Sequence, residues 1–114
     1  MSRNEIMYLQ DIAQSCEKVL RYTQGLSQTD LVREEKTYDA VVRNIEIIGE
    51  AAKHISDELR KQLPNIEWRK VAGLRDMLAH AYFGIDNDIL WDVVQNKVPH
   101  LAKSIADFLG NHSG

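Results

Sequence analysis

Between Asn4 and Thr23, the apolar residues Ile6, Leu9, Ile12, Ala13, Cys16, Val19 and Leu20 recur at spacings of three and four. That period lines one face of an α-helix and predicts a first helix over about 4–23, ended by Gly25. Ser27-Gln28-Thr29-Asp30 follows as a short linker, with Ser27 or Thr29 able to cap a brief helical turn. The stripe Tyr38, Val41, Val42, Ile45, Ile48, Ala52, Ile55 and Leu59 predicts a second helix over about 33–62. Gly49, Ala51 and Ala52 place small side chains in its middle. A glycine costs a helix about 1 kcal/mol relative to alanine, so Gly49 is expected to serve close packing. Leu63-Pro64-Asn65 breaks the chain. A short turn over 67–72 then leads into a third helix reaching Tyr82 or Phe83, ended by Gly84. Asp86-Asn87-Asp88 supplies N-cap candidates for a fourth helix with Ile89, Leu90, Val93 and Val94 as its apolar set. Pro99 interrupts that helix and suits the first turn of a final one, whose stripe is Leu101, Ile105, Phe108 and Leu109, closed by Gly110. No repeat and no clear strand pattern occurs. The expected architecture is all-α: an up-and-down helical bundle of four main helices plus a short helix, with residues 1–114 as one domain.

The third helix stands apart. On a wheel of about 100° per residue starting at Leu74, the residues Leu74, Met77, Leu78, Ala81 and Ile85 share one apolar stripe. Tyr82, Arg75, Asp76 and His80 fall at about 80°, 100°, 200° and 240°, on the half facing away from the core. Ala79 and Phe83 lie between Arg75 and His80. A face of Arg, His, Tyr, Phe and Ala differs from the usual solvated Lys and Glu, and suits a partner, a substrate, or both.

Composition narrows the classes. No apolar run approaches the ~18 residues that span a bilayer, and Met1-Ser2-Arg3-Asn4-Glu5 lacks the apolar core of a signal peptide. Cys16 is the single cysteine and cannot form an intrachain disulfide. These features point to a cytoplasmic protein without a membrane span. The net charge of −3 argues weakly against nonspecific nucleic-acid binding. Residues 60–82 depart from that balance, with Arg60, Lys61, Arg69, Lys70 and Arg75 set against Glu67 and Asp76. Such a segment can contact phosphates even in an acidic chain, or simply solubilise it.

Metal and phosphate-loop chemistry find no support. His54, His80, His100 and His112 are scattered, and neither a thiolate cluster nor a glycine-rich phosphate loop occurs. Cys16 lies on the apolar face of the first helix, as a small hydrophobe does. Arg75 and His80 together suit phosphodiester chemistry. RNA can be cut without metal when its own 2′-hydroxyl attacks the adjacent phosphate, given a base, an acid and a cation. Histidine serves as base or acid, and arginine holds phosphate oxygens with a charged planar fork. DNA lacks the 2′-hydroxyl, so the substrate of that chemistry is RNA. The bare spacing favours a structural pairing, since an Arg five residues before a His recurs by chance. Asp76, four residues before His80, either orients the imidazole or forms a simple side-chain pair. Taken without other context, Tyr82 also reads as a boundary aromatic with its hydroxyl in water.

The octet Arg75-Asp76-Met77-Leu78-Ala79-His80-Ala81-Tyr82 resembles the Arg-X4-6-His motif of HEPN-domain proteins. The tyrosine two residues after the histidine narrows the likeness to the HepT-like family, also called DUF86. Tyr38 to Ala52, Trp68 to Asp76, Ala79 to Phe83 and Trp91 to Pro99 also look like that family, and no motif position departs from it. The resemblance implies a metal-independent ribonuclease of the HEPN fold, acting as a homodimer and serving as the toxin of a type VII-like toxin–antitoxin pair. It implies no cofactor, Arg75 and His80 as catalytic residues, and Asp76 in support. The implied antitoxin is an MNT-type nucleotidyltransferase that silences the toxin by AMPylation of Tyr82. Arg75 and His80 stand about 140° apart on one helix. A two-fold axis beside Ala79 and Phe83 would bring His80 of one chain to Arg75 of the other. Two rivals remain open: a non-catalytic dimeric, antitoxin-like subunit that binds a nucleotidyltransferase, and a dimeric nucleotide-binding helper in which Arg75 and Tyr82 hold a phosphate.

Overall fold

Helix α1 (Arg3–Thr23) forms where the first apolar period places it, with Leu9, Ile12, Cys16 and Val19 fully buried. Its end is tied off locally. The Thr23 hydroxyl donates to the Val19 carbonyl at 2.8 Å, and Gly25 turns the chain at φ 78, a conformation glycine adopts without steric cost. Ser27 caps α2 (Gln28–Arg33) in a reciprocal box: its hydroxyl accepts from the Asp30 N–H while the Asp30 carboxylate accepts from the Ser27 N–H. The computed structural model describes residues 3–79 and 84–112.

Helix α3 (Glu35–Ala52) buries Val41, Ile45, Ile48 and Ala52 and packs against α1. The two run antiparallel. At the start of α1, the Glu5 carboxylate accepts from the Ser56 N–H at 3.0 Å, just beyond the end of α3. The Tyr8 and His54 rings stack there with centroids 4.6 Å apart.

The single second helix expected over 33–62 is divided. The chain leaves α3 after Ala52, and Ser56 caps a new helix, α4 (Asp57–Gln62), with its hydroxyl accepting from Leu59 N–H. Asp57 and Glu58 in the first turn complement the positive end of the new helix dipole. Ile55 and Leu59 remain buried, so the apolar stripe is satisfied across the break. Periodicity alone does not register such a reset.

Helix α5 (Trp68–Ala72) and helix α6 (Leu74–Ala79) follow. Arg60 clasps this region to α3: its guanidinium donates to the Ala52 carbonyl at 2.9 Å and lies over the Trp68 ring at 5.8 Å. Leu74 and Leu78 are buried as the wheel requires, but Met77 is 38% exposed and stands at the edge of the stripe.

Helix α7 (Asn87–Asp92) begins at Asp86, whose carboxylate accepts from the Asp88 and Ile89 N–H groups. Pro99 does not separate two helices. A π-helical turn (Val93–Lys97) joins α7 to α8 (Val98–His112) without a gap. Proline has no N–H and its ring crowds the carbonyl four residues earlier; a wider π turn just before it accommodates that defect. Gly110 lies inside α8 rather than closing it. Leu90, Val93, Val94, Leu101, Ile105 and Phe108 enter the core shared with α1 and α3, whereas Ile89 is 36% exposed. Every described element is helical, so the all-α class holds. No helix among the described residues is long and apolar enough to cross a membrane.

Cys16 sits in that core, where burial pushes its thiol up to about 12. The thiolate is the reactive form, so iodoacetamide at pH 8 is expected to leave the folded protein unlabelled and to label it fully in guanidinium chloride. Intact mass reads the result, and rapid labelling of the native protein would contradict the burial.

Candidate active site

Arg75 is placed by its backbone and by its side chain, and both constraints come from α3. Gly49 is buried on α3 beneath the junction between α5 and α6. A Cβ built on Gly49 would lie 3.4 Å from the Val71 carbonyl oxygen, 3.5 Å from the Arg75 amide nitrogen and 3.7 Å from the Ala72 carbonyl oxygen. Those are ordinary contact distances, so the α5–α6 backbone rests on α3 with room at position 49 for little more than a methyl group. The next residue, Glu50, accepts a hydrogen bond from Arg75 Nη1 at 2.9 Å through Oε1. The same oxygen lies 3.5 Å from Lys53 Nζ.

The Arg75 guanidinium stays at the surface, its side chain 55% exposed. The hydrogen bond from Arg75, with Lys53 alongside, holds the Glu50 carboxyl below its ordinary range. The Glu50 hydrogen bond and charge in turn raise Arg75, with smaller contributions from Glu46 and Asp76. A guanidinium so placed is permanently cationic and partly open, which is what a phosphate-binding group requires.

Asp76 is exposed. His80 and Tyr82 lie outside the described residues, as do Ala81 and Phe83, so of the four polar groups the structure places Arg75 and Asp76 on one short helix. The flanks of the motif are anchored. On its N-terminal side, α6 rests on Gly49 and Glu50. On its C-terminal side, the Tyr38 hydroxyl donates to Asn87 at 2.6 Å and the Gln28 amide donates to Asp88 at 2.7 Å, tying the start of α7 to α3 and α2.

The basic segment over 60–82 is less available than its sequence suggests. Arg60 bonds to the Ala52 carbonyl, Lys70 pairs with Glu67 at 2.7 Å, and Arg75 pairs with Glu50. Lys61 and Arg69 are exposed.

A groove of about 550 Å³ opens between α5–α6 and α7–α8, lined by Leu74, Met77, Ile89, Val93 and Leu101 and rimmed by Lys70 and Lys97. Arg75 lies two positions from Met77, about 200° around the helix, and is not part of that groove. Among the described residues, no three His, Cys, Asp or Glu side chains cluster closely enough to hold a metal ion.

Over residues 12–108 the chain matches the model of the ribonuclease HepT-like family. It belongs to that family. A protein of Thermococcus cleftensis named as a probable ribonuclease HepT is 42% identical over 101 residues, covering 89% of this chain and 92% of the relative. A candidate RNase of Methanocaldococcus jannaschii is 36% identical over 106 residues, 92% of this chain and 97% of that protein. Another, from Caldanaerobacter subterraneus subsp. tengcongensis, is 37% identical over 102 residues, 90% and 91% of the two chains. No solved structure matches the chain. The HepT-like span takes in α3 and α6, and so includes the whole Gly49–Glu50–Arg75 arrangement.

Sequence reasoning missed Glu50 as part of this arrangement. It lies 25 residues before Arg75, and no helical period links two different helices. The available signal was its place next to Gly49, the residue whose small size already implied a close neighbour.

Proposed function

We propose that this HepT-like chain is a metal-independent endoribonuclease, a single HEPN-like domain working in the cytoplasm as a homodimer and as the toxin of a toxin–antitoxin pair. The observation that carries this reading is the partly exposed Arg75 guanidinium held on α3 by Glu50, in a chain whose relatives bear ribonuclease names. Arg75 binds the scissile phosphate and offsets the charge that grows on its oxygens. His80 takes the 2′-hydroxyl proton or supplies one to the leaving 5′-oxygen, and Asp76 orients it. The 2′-oxygen forms the new bond to phosphorus as the bond to the 5′-oxygen breaks, leaving a 2′,3′-cyclic phosphate and a 5′-hydroxyl. Tyr82 is the regulatory acceptor. An MNT-type nucleotidyltransferase moves AMP from ATP to its phenol oxygen, with pyrophosphate leaving. The added phosphate is negative and competes with RNA for the arginine.

Cleavage of RNA by the purified protein is expected to persist in EDTA and to yield cyclic phosphate ends. All-DNA oligonucleotides of the same sequence are expected to remain intact. Co-expression with the nucleotidyltransferase should add AMP mass to the wild-type chain and none to Tyr82→Phe. An RNase activity abolished by EDTA, or DNA cut as fast as RNA, would overturn the mechanism. Harmless expression combined with no RNA turnover would favour the non-catalytic subunit instead.

A further inference from the structure

We propose that Glu50 is a positioning residue for Arg75, an inference that rests on the cleavage reading above. Surface ion pairs are usually weak and loosely held. This one differs in how its two ends are mounted. Glu50 extends from α3 in the stretch where Ile48, Ala51 and Ala52 are buried. Arg75 extends from α6 at the point where its own amide nitrogen rests against Gly49. Consecutive residues of one packed helix therefore constrain the arginine twice: Gly49 sets the height of its backbone, and Glu50 sets the direction of its side chain.

The bond is single-ended. Glu50 Oε1 engages Nη1, and a guanidinium carries five N–H donors. Glu50 thus leaves Nη2 and Nε for a phosphate while restricting the rotamers of a long, flexible side chain. A lone carboxylate beside a phosphate site would repel the substrate. Lys53 Nζ, 3.5 Å from the same oxygen, offsets the Glu50 charge. Glu50 makes the arginine less attractive to a phosphate in the ground state and better aimed when charge develops. Such a residue contributes to rate more than to affinity.

The test measures single-turnover cleavage of an RNA oligonucleotide, together with the Kd for the all-2′-deoxy oligonucleotide, which cannot react. Glu50→Ala is expected to slow cleavage by about 10- to 100-fold, with a Kd unchanged or tighter. Glu50→Gln, which keeps an acceptor oxygen, is expected to recover most of the rate. A Glu50→Ala rate equal to or above wild type overturns the proposal, and so does a Gln variant no faster than the Ala variant. Weakened binding of the deoxy oligonucleotide in step with the lost rate also overturns it, because that marks a binding residue. Arg75→Ala is run alongside. If it cuts as fast as wild type, the cleavage reading falls and Glu50 falls with it. If Arg75→Ala is impaired and Glu50→Ala is not, only the positioning role is lost.

Discussion

Arg75→Ala is expected to lower RNA cleavage by about 100- to 1,000-fold, the usual cost of removing one group that stabilises charge in the transition state. His80→Ala is expected to cost about 100- to 10,000-fold, the range for a general acid or base. Arg75→Ala should not unfold the chain. The Arg75 side chain is mostly in water, and its backbone contact with Gly49 does not depend on the guanidinium. A thermal melt close to wild type would confirm that lost activity is lost chemistry.

The two variants also test where the site lies. A single helix running through both residues would set Arg75 and His80 about 140° apart. The proposed dimer pairs His80 of one chain with Arg75 of the other. Mixing the two inactive variants should then restore cleavage, because a mixed dimer contains one site with both groups intact. With random reassortment, roughly a quarter of the wild-type rate is expected. A mixture as inactive as its components would place both groups in the same chain and remove the composite site.

The second large effect concerns a residue that touches no substrate. Gly49→Ala is expected to be accepted. Its Cβ would meet the Val71 oxygen at 3.4 Å and the Arg75 nitrogen at 3.5 Å, which are ordinary contacts, and alanine favours helix by up to about 1 kcal/mol over glycine. Gly49→Val adds two methyl groups where backbone lies on the far side. The α5–α6 junction must lift, at a cost of about 1–3 kcal/mol. One of the displaced atoms is the amide nitrogen of Arg75, so cleavage should fall more than tenfold, a misplacement cost rather than a stability cost. Thermal melts and single-turnover rates for both variants check this. Equal rates in Ala and Val would mean that the packing of α6 on α3 does not place the arginine.

Glu50 and Gly49 show why the site was only half legible from the chain itself. Arg75 and Asp76 stand out because a short helix puts chemically unusual residues close together, and short-range spacing is visible in one dimension. Glu50 reaches Arg75 across two helices, and that proximity exists only once α6 lies on α3. The bundle shows the same division. The stripes of α1 and α3 are legible because burial imposes a period of three and four along each helix, as Leu9, Ile12, Cys16, Ile45 and Ile48 demonstrate. The break at Ser56 and the uninterrupted passage through Pro99 are not. A capped restart and a π turn both keep the apolar residues in the core, so the same pattern fits a broken or a continuous helix.

What the sequence by itself determined was the all-α class, the apolar faces of α1, α3 and α8, and the burial of Cys16. Those follow from local periodicity and residue type. The tertiary structure alone decided which cations remain available to a phosphate, that Met77 and Ile89 border a groove, and that Gly49 and Glu50 seat the arginine. Each of these depends on distances between elements far apart in the chain, which packing sets and local pattern does not record.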